Sequence, residues 1–466
     1  MAVVESIEAL AERQRRSRDG HPNNVVEPVL SEDEVARMFE DRFNGRLLYD
    51  HDAGRWLEWD STRWRPDRID RALHYARELA RELSADKSSK TRLAGGKTSF
   101  AAGVERFARA TPAFARTSDE WDRDPLLLGT PAGTVDLRTG ELRKASPEDR
   151  ITRLTAVAPS ERAECPTWRK FLYETTAGNE ELIAFLQAWA GYCATGETSE
   201  HALVFVHGGG GNGKSVFLNA VAGIMGDYAV TAAMDTFEAS KSGRHPTDLA
   251  MLRGARLVTA SETEEGRAWA EARIKAITGG DPITARFMRQ DYFTYKPQFK
   301  LTIVGNHMPV LHNVDEAARR RFNIVPFLCK PEHPDPKLPE KLREEYPAIL
   351  RWIIDGCLLW REHRLPRPQI VTDATAEYFA EQDLFQQWLD ACCEVRISND
   401  ARFEQVSRLY ASWKGFAEQA GERPGSSKSF GQQMRRRGFK PGRTGSTRLF
   451  HFVKLREQAA IPDYHQ

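Results

Sequence analysis

Apolar positions in the first third of the chain alternate between helical spacing and the period of a strand. A capping box at residues 31–34 precedes apolar residues three and four apart, which predicts a helix. Short aromatic-rich runs with turn residues follow at 44–64 and again at 126–143, and the stretch between them is helical. We predict an N-terminal α+β domain of residues 29–160. Residues 1–28 have few large apolar side chains, which indicates a flexible arm.

The middle of the chain has a different pattern, in which short apolar runs alternate with helical segments. A continuous apolar run at residues 202–206 predicts a buried strand, and strand, loop and helix alternate from there to about Phe327. This order is typical of an α/β fold with a largely parallel sheet. Flanking helical patterns extend the predicted domain to residues 161–365, and Pro366 with Pro368 indicates a linker.

The C-terminal residues predict two helices followed by a β-hairpin, which is the order of a winged helix. We assign residues 370–456 to this domain and residues 457–466 to a tail. The segment from Lys428 to Arg456 contains nine cations and no aspartate or glutamate. This imbalance favours duplex or origin DNA bound by the second helix and the wing, and a solvated basic surface is the alternative. The candidate DNA-binding residues are Lys428, Arg435, Arg436, Arg437 and Arg443.

Composition excludes several classes of protein. The 466 residues are 41% hydrophobic and 29% charged, and no apolar run reaches the roughly 18 residues of a membrane-spanning helix. The N-terminus mixes acidic and basic residues without an apolar core, so it does not resemble a secretory signal, and we expect a cytoplasmic protein without a membrane partner. Six cysteines lack the spacing of a zinc site or a disulfide framework. The net charge of +1 does not indicate nucleic-acid binding, so local clusters must be considered.

A glycine-rich loop follows the predicted strand at 202–206 and precedes a helical pattern. It satisfies G-x-x-x-x-G-K-[ST] with Gly208, Gly209, Gly210, Gly211, Asn212, Gly213, Lys214 and Ser215. Glycines let backbone N–H groups approach phosphate oxygens, the helix N-terminus favours negative charge, and the lysine neutralises the outer phosphates. We therefore predict that this loop binds ATP and that Ser215 binds Mg²⁺.

Acidic and amide side chains follow the next predicted strands, at the sheet edge where ligands bind in open α/β folds. We assign Glu262 to Mg²⁺ coordination through water and Glu264 to polarising the attacking water, and these roles could be exchanged. A solvated acidic loop is the alternative. Asn306 ends the strand pattern at 300–305, where an amide can hold a water near the γ-phosphate. A turn-forming role for Asn306 has comparable support.

Three consecutive arginines precede the last predicted strand of this domain. Alone they would indicate a solvated face, but after a P-loop, an acidic strand end and a strand-end asparagine they favour an arginine finger. We assign this role to Arg320 or Arg321 without deciding between them. In this type of sheet such an arginine lies too far from its own P-loop, so a neighbouring subunit would supply it. The pattern therefore predicts a ring.

The chain resembles the superfamily 3 helicases, and most closely the phage and plasmid primase-helicases of the P4 and poxvirus D5 type. The matching stretches are GGGGNGKSVFLNAVAGIMGDYA, GARLVTASETEEG, KAITGGDPITARFMRQDYFTYKPQFKLTIVGNHMPVL and DEAARRRFNIVPF. Residues 47–64 and 126–142 look like the domain that precedes the ATPase in those proteins. The resemblance implies an AAA+-like P-loop core and a homo-oligomer, generally a hexamer, that uses ATP to translocate on single-stranded DNA. It also implies phage or prophage replication in the cytoplasm of a bacterial host.

The resemblance further implies a β-hairpin in the channel of the ring, which we place within residues 281–299. Its predicted DNA contacts are Arg286, Arg289 and Lys296, which are interleaved with aromatic residues that can stack on bases. Lys275, on the preceding helix, matches a lysine of the same motif block and is a further candidate.

Two alternatives concern activity. Many relatives have a primase domain with paired metal-binding aspartates, and Asp50–Asp52 and Asp122–Asp124 match superficially, but Asp52 fits a hairpin turn better. We therefore expect no primase activity in this chain, and a separate primase is a candidate partner of the N-terminal domain. The second functional hypothesis is an ATP-dependent initiator that binds an origin and transfers it to a host helicase.

Overall fold

The structure is a computed structural model that describes residues 30–239, 247–261, 267–311, 315–395 and 402–456. The chain folds as two units, one of Met1–Arg123 with Ala145–Thr152 and the other of Asp124–Lys144 with Arg153–Gln466. Among the helices in the described ranges, none combines the length and the apolar character needed to cross a membrane.

In the first unit, helices pack on one face of a four-stranded sheet. Its elements are α1 (Glu32–Phe43), β1 (Leu47–Asp50), β2 (Arg55–Trp59), β3 (Trp64–Pro66), α2 (Arg71–Ser84), α3 (Ser89–Gly95), α4 (Thr98–Ala108) and β4 (Ala115–Arg116). The sheet order is β3-β2-β1-β4, with β4 parallel to β1. Leu47 and Tyr49 pack against the helices, whereas Leu48 packs with Leu57 and Trp64 on the opposite face. The alternation along β1 therefore places both faces of the sheet in a core.

The predicted capping box and hairpin turn are both present in this unit. The Ser31 hydroxyl accepts from Glu34 N, and the Glu34 carboxylate accepts from Ser31 N, both at 3.2 Å. Strands β1 and β2 are antiparallel, and Ala53 N donates to Asp50 Oδ1 at 2.9 Å in the turn between them. Residues 50–54 therefore form the turn that the sequence predicts.

The second unit contains a three-stranded antiparallel sheet, a five-stranded parallel sheet and a C-terminal group of helices and short strands. The strands of this unit, up to the last strand of the parallel sheet, are β5 (Leu127–Thr130), β6 (Gly133–Asp136), β7 (Glu141–Arg143), β8 (Leu203–His207), β9 (Ala229–Thr231), β10 (Leu257–Ser261), β11 (Ile283–Ala285), β12 (Phe293–Tyr295), β13 (Lys300–Gly305) and β14 (Phe322–Pro326). The helices of this region are α5 (Pro166–Thr175), α6 (Glu180–Ala194), α7 (Lys214–Met225), α8 (Thr247–Ala250), α9 (Glu271–Gly279), α10 (Glu316–Arg319), α11 (Leu338–Glu344), α12 (Tyr346–His363) and α13 (Gln369–Gln382).

The five parallel strands have the order β14-β8-β13-β10-β9. Strand β8 lies between β14 and β13: its Val204 and Val206 face a core that includes α6, α7 and α12, whereas Leu203 and Phe205 face the core on the other side. A parallel sheet covered on both faces explains why its strands are continuous apolar runs. The prediction of an α/β fold is confirmed.

The strands β5, β6 and β7 pack in the second unit, although the sequence placed them in the N-terminal domain of residues 29–160. Leu128 and Val135 are fully buried in the same core as Trp189 of α6. The Arg256 guanidinium donates to Leu127 O at 2.7 Å, which joins β5 to the start of β10. Alternating strands reveal an apolar face but not what covers it, so the pattern alone did not indicate this core.

Helix α13 also packs elsewhere than expected. Its Tyr378 and Phe379 are buried against the parallel sheet, and Tyr378 Oη donates to Pro309 O at 2.6 Å. The separate C-terminal core begins at Phe385. Helix α13, within the region 370–456 that we assigned to the C-terminal domain, is therefore part of the sheet's helical cover.

The C-terminal group has the helix, helix and hairpin order that the sequence predicts. Its elements are α14 (Leu384–Cys392), β15 (Cys393–Val395), β16 (Phe403–Gln405), α15 (Val406–Gln419), α16 (Ser427–Arg436), β17 (Pro441–Thr444), β18 (Thr447–His451) and β19 (Val453–Leu455). Strands β17 and β18 form the hairpin, and β16 pairs with β18. Trp388, Trp413 and Phe430 form the centre of its core.

A buried lysine lies at the start of β13, at the opposite end of the strand from Asn306. Lys300 is 2% exposed, its Nζ donates to Thr195 O and to Gln298 O, and it lies 4.9 Å from the centre of the Tyr192 ring. Burial lowers the pKa of Lys300 to about 7. The charged form is therefore disfavoured in the folded protein.

We expect the free energy of unfolding to increase between about pH 7 and about pH 8.5, because the folded protein releases the Lys300 proton near pH 7 and the unfolded chain retains it throughout this range. The unfolded state then binds more protons, and the slope approaches ~1.4 kcal/mol per pH unit. Above about pH 8.5 the buried cysteines oppose this increase, because burial raises their pKa and their thiols ionise first in the unfolded chain. Urea unfolding of the wild type and Lys300→Met below that pH measures the increase. The increase should be lost in Lys300→Met and kept in Lys170→Met, which changes an exposed lysine of α5. An equal increase in Lys300→Met would rule out Lys300 as its source.

Candidate nucleotide-binding site

The glycine-rich loop leaves β8 at the carboxyl edge of the parallel sheet and leads directly into α7. Gly210, Gly211 and Gly213 have φ angles of +87°, +67° and +84°, which favour glycine. A Cβ atom would lie 2.1 Å from a neighbouring carbonyl oxygen at Gly208 and 2.6 Å from a side-chain carbon at Gly213. At Gly209–Gly211 it would meet no atom within 4 Å. The loop is therefore closely packed at its ends and open in its middle, which fits a cradle for phosphate.

Lys214 is held within this loop. It lies in the first turn of α7 and is 7% exposed. Its Nζ donates to Gly208 O (2.5 Å), Asn212 Oδ1 (2.9 Å) and Asn306 Oδ1 (3.1 Å). Burial lowers the pKa of Lys214, and the charge of Lys330 lowers it further. Three oxygen acceptors therefore fix the ammonium group at a place where phosphate oxygens can replace them.

Asn306 reaches the lysine because β13 and β8 are neighbouring parallel strands. Gly305, the last residue of β13, pairs with His207, the last residue of β8. The chain therefore leaves both strands side by side, and the Asn306 amide lies at the phosphate loop. An amide that acts on ATP must lie at the glycine-rich loop, whereas an amide that only forms a turn need not contact Lys214. The catalytic role of Asn306 stays a prediction.

Of the predicted metal-binding residues, only Ser215 lies within the described part of the chain. Ser215 is exposed in the first turn of α7, where its hydroxyl can contact a ligand of the loop. Ser261 ends β10 at the same sheet edge, where it pairs with Val304 of β13. Glu262 and Glu264 lie outside the described residues, so their predicted roles remain predictions.

Two of the three consecutive arginines are bound within the chain. Arg319 Nη2 lies 3.8 Å from Asp383 Oδ2. Arg321 Nε donates to Thr278 Oγ1 of α9 at 3.1 Å, and its Nη1 donates to a backbone carbonyl of α10 at 2.7 Å. Both guanidinium groups therefore hold α10 in place.

Arg320 has a different environment. It is exposed, and its Nε makes a 3.3 Å bond to the Glu316 carbonyl, one turn back. Of the two candidates that the sequence left open, Arg320 is therefore exposed, whereas the guanidinium group of Arg321 is bound within the chain.

The hairpin predicted within residues 281–299 is formed by the antiparallel strands β11 and β12. The Arg286 guanidinium lies 4.6 Å from the centre of the Tyr292 ring. Arg289 is exposed in the turn with φ +60°, and Lys296 is exposed after β12. Cations and aromatic rings thus occur together along this hairpin.

Two predicted DNA-contacting cations are paired inside the chain. Lys275 Nζ lies 2.5 Å from Asp315 Oδ2, and Arg437 Nη2 lies 2.5 Å from Asp383 Oδ1. These pairs neutralise part of the charge that the sequence suggests is available to DNA. The other C-terminal candidates are exposed: Lys428, Arg435, Arg436 and Arg443.

Sequence reasoning missed partners that position the site. The sequence identifies Asn212 only as a loop residue, but its buried amide donates to Phe327 O while its oxygen accepts from Lys214. Asp383 was also missed. The sequence feature that could have indicated Asp383 is that of a helix N-cap. Its carboxylate accepts from Gln386 N, three residues later, at 3.0 Å.

Comparisons with known proteins identify related sequences. Residues 36–177 match the family described as D5 N terminal like, and residues 206–321 match a family described as one of unknown function. "Putative helicase L207/L206" of Acanthamoeba polyphaga mimivirus is 26% identical over 317 residues, which cover 63% of this chain and 33% of that protein. The family match and this relative support the assignment of the chain to the D5-type primase-helicases.

Other relatives place limits on what the D5-type assignment shows. "Putative helicase 022R" of Frog virus 3 is 25% identical over 383 residues, which cover 63% of this chain and 39% of that protein. The chain therefore spans 33% and 39% of the length of these two curated relatives. A solved apo structure of the NrS-1 C-terminal region has a TM-score of 0.53 at 10% identity, covering 90% of this chain and 99% of that chain. At this identity the likeness shows the fold alone.

Proposed function

We propose that this protein is an ATP-dependent DNA helicase of superfamily 3 that acts in viral DNA replication as a homo-oligomeric ring, a hexamer by family resemblance, on single-stranded DNA. The observation that supports this most strongly is the contact of Lys214 with both the glycine-rich loop and Asn306 at the edge of a parallel sheet. It joins a phosphate cradle to the strand-end amide that the family pattern requires. Phage or prophage origin and a bacterial host cytoplasm remain predictions, and the relatives above come from mimivirus and Frog virus 3.

Different residues of the site would bind the phosphates, hold the metal ion and activate water. Lys214 and the backbone N–H groups of the loop bind the phosphates, and Ser215 with Glu262 would hold Mg²⁺, which neutralises phosphate charge when bound. Glu264 would polarise the attacking water, and Asn306 would orient it. Arg320 would enter the site of the neighbouring subunit, so the site is complete only between two copies of the chain.

Two surfaces would contact DNA. The hairpin of β11 and β12 would follow a single strand, because its cations suit phosphates and its aromatic rings suit bases. In the C-terminal group, which we interpret as a winged helix, α16 and the hairpin of β17 and β18 would contact duplex DNA. The order of a wing beside a basic second helix supports this interpretation.

We expect that replacing Arg286 and Arg289 with alanine lowers strand displacement on forked DNA at least about tenfold, because two phosphate contacts in the channel are lost. The salt dependence of single-strand binding should weaken by about 1.4 units of slope, about 0.7 for each phosphate contact that is lost. Arg435→Ala with Arg436→Ala, on the C-terminal surface, is the matched control and should weaken duplex binding more than single-strand binding. Equal displacement by the hairpin variant and the wild type would contradict the assignment of the hairpin.

The exposed cations of α16 and its hairpin support a second candidate, an origin-binding initiator that uses ATP without processive unwinding. The same assays separate the two functions. A protein that hydrolyses ATP and protects one duplex sequence in footprinting, yet displaces no strand from a fork, is an initiator. Strand displacement that requires ATP hydrolysis supports the helicase.

A further inference from the structure

One buried carboxylate joins the arginine-bearing helix α10 to the C-terminal group. Asp383 is 7% exposed and lies between α13 and α14. Its Oδ1 accepts from Arg437 Nη2, at the end of α16, at 2.5 Å. Its Oδ2 lies 3.8 Å from Arg319 Nη2, at the end of α10. The same carboxylate is therefore shared by two cations, one at the end of α16 and one at the end of α10.

The sharing is unequal. The contact of Asp383 with Arg437, at 2.5 Å, is a charge-assisted hydrogen bond. Its contact with Arg319, at 3.8 Å, is an ion pair without a hydrogen bond. Each guanidinium also lies over a ring, with Arg319 5.0 Å from the centre of Phe379 and Arg437 5.0 Å from the centre of Phe385. A buried carboxylate that loses one cation becomes strongly dependent on the other. Removing Arg437 would therefore draw Asp383 and Arg319 together.

DNA can remove Arg437 from this pair. It follows directly after Arg435 and Arg436, which are exposed and proposed to contact phosphates. Phosphate and carboxylate are both acceptors that suit the guanidinium fork, so they compete for it. Arg319 is the residue next to Arg320, so a shift of Arg319 towards Asp383 changes where Arg320 is presented.

We propose that Asp383 is a positioning residue that couples DNA binding at α16 to the placement of Arg320 in the ATP site of the neighbouring subunit. In the free protein Asp383 is held by Arg437. When DNA engages α16, Asp383 pairs with Arg319 instead, and Arg320 is set for hydrolysis. This inference rests on the proposed function, because it requires an ATPase that DNA stimulates.

The test compares the full-length wild type with Asp383→Asn and Arg437→Gln. Coupling of this kind is worth about 5- to 150-fold, so Asp383→Asn should lower the stimulation of kcat by saturating duplex DNA at least about fivefold, with little change in KM for ATP. Asparagine keeps an oxygen to cap α14, and the melting temperature checks folding. Arg437→Gln should have the opposite effect and raise hydrolysis without DNA, because Asp383 is then left to Arg319. A purely structural role would lower activity in both variants.

The matched control is Glu418→Gln, which changes an exposed carboxylate of α15 that lies 3.7 Å from Lys414 Nζ. It should be stimulated by DNA as the wild type is. Wild-type stimulation in Asp383→Asn, or unchanged DNA-free hydrolysis in Arg437→Gln, overturns the coupling and leaves the proposed helicase intact. A wild type that duplex DNA does not stimulate overturns the coupling, and a wild type that single-stranded DNA does not stimulate either contradicts the proposed function itself.

Discussion

Replacing Lys214 with alanine should abolish ATP hydrolysis, with kcat at least about 10²- to 10³-fold below the wild type, because one preorganised cation at the transferred phosphate is lost. The ammonium group already lies at the loop, where phosphate oxygens can replace its contacts with Gly208, Asn212 and Asn306. Phosphate release measured with and without single-stranded DNA gives the result.

The control for this prediction is Lys170→Ala, which removes an exposed lysine of α5 that pairs with Glu174. It should hydrolyse ATP at the wild-type rate. Because Lys214 is buried, its alanine variant also needs a melting curve, and Lys214→Met tests the loss of charge with most of the volume kept. A folded Lys214→Met that hydrolyses ATP at the wild-type rate would contradict the site.

Replacing Arg320 with alanine should lower kcat by about 10³-fold or more, the usual contribution of an arginine finger. Arg320 is exposed and makes one backbone contact, so folding should be unaffected, and nucleotide binding should change little. Arg37→Ala, which changes an exposed arginine of the first unit paired with Asp33, should keep the wild-type rate. Full activity in Arg320→Ala would exclude it as the finger.

The local part of the site could be predicted from the sequence. The glycine-rich loop and the helix that follows it are contiguous, so their chemistry is visible in eight residues. The capping box at Ser31 and the turn at residues 50–54 are confirmed for the same reason, since each depends on neighbours three to five residues apart. The parallel sheet followed from the alternation of apolar runs and helices.

The partners of charged side chains could not be predicted, because they come from distant parts of the chain. Nothing near Arg437 in the sequence indicates that it meets Asp383, 54 residues earlier. The three arginines at 319–321 cannot be distinguished in the sequence, because only the fold gives each of them a different environment. The core that β5 to β7 join could not be predicted either, because an alternating pattern does not reveal which core a strand packs against.

The central claim is that each ATP site is completed by a neighbouring copy of the chain. Mixing Lys214→Ala and Arg320→Ala subunits tests it most directly, since each variant lacks a different half of the site. Neither variant alone should hydrolyse ATP on single-stranded DNA, but the mixture should regain a measurable part of the wild-type rate, because some interfaces pair an intact loop with an intact arginine. A mixture as inactive as its components, although native mass measurement shows mixed rings, would contradict the account.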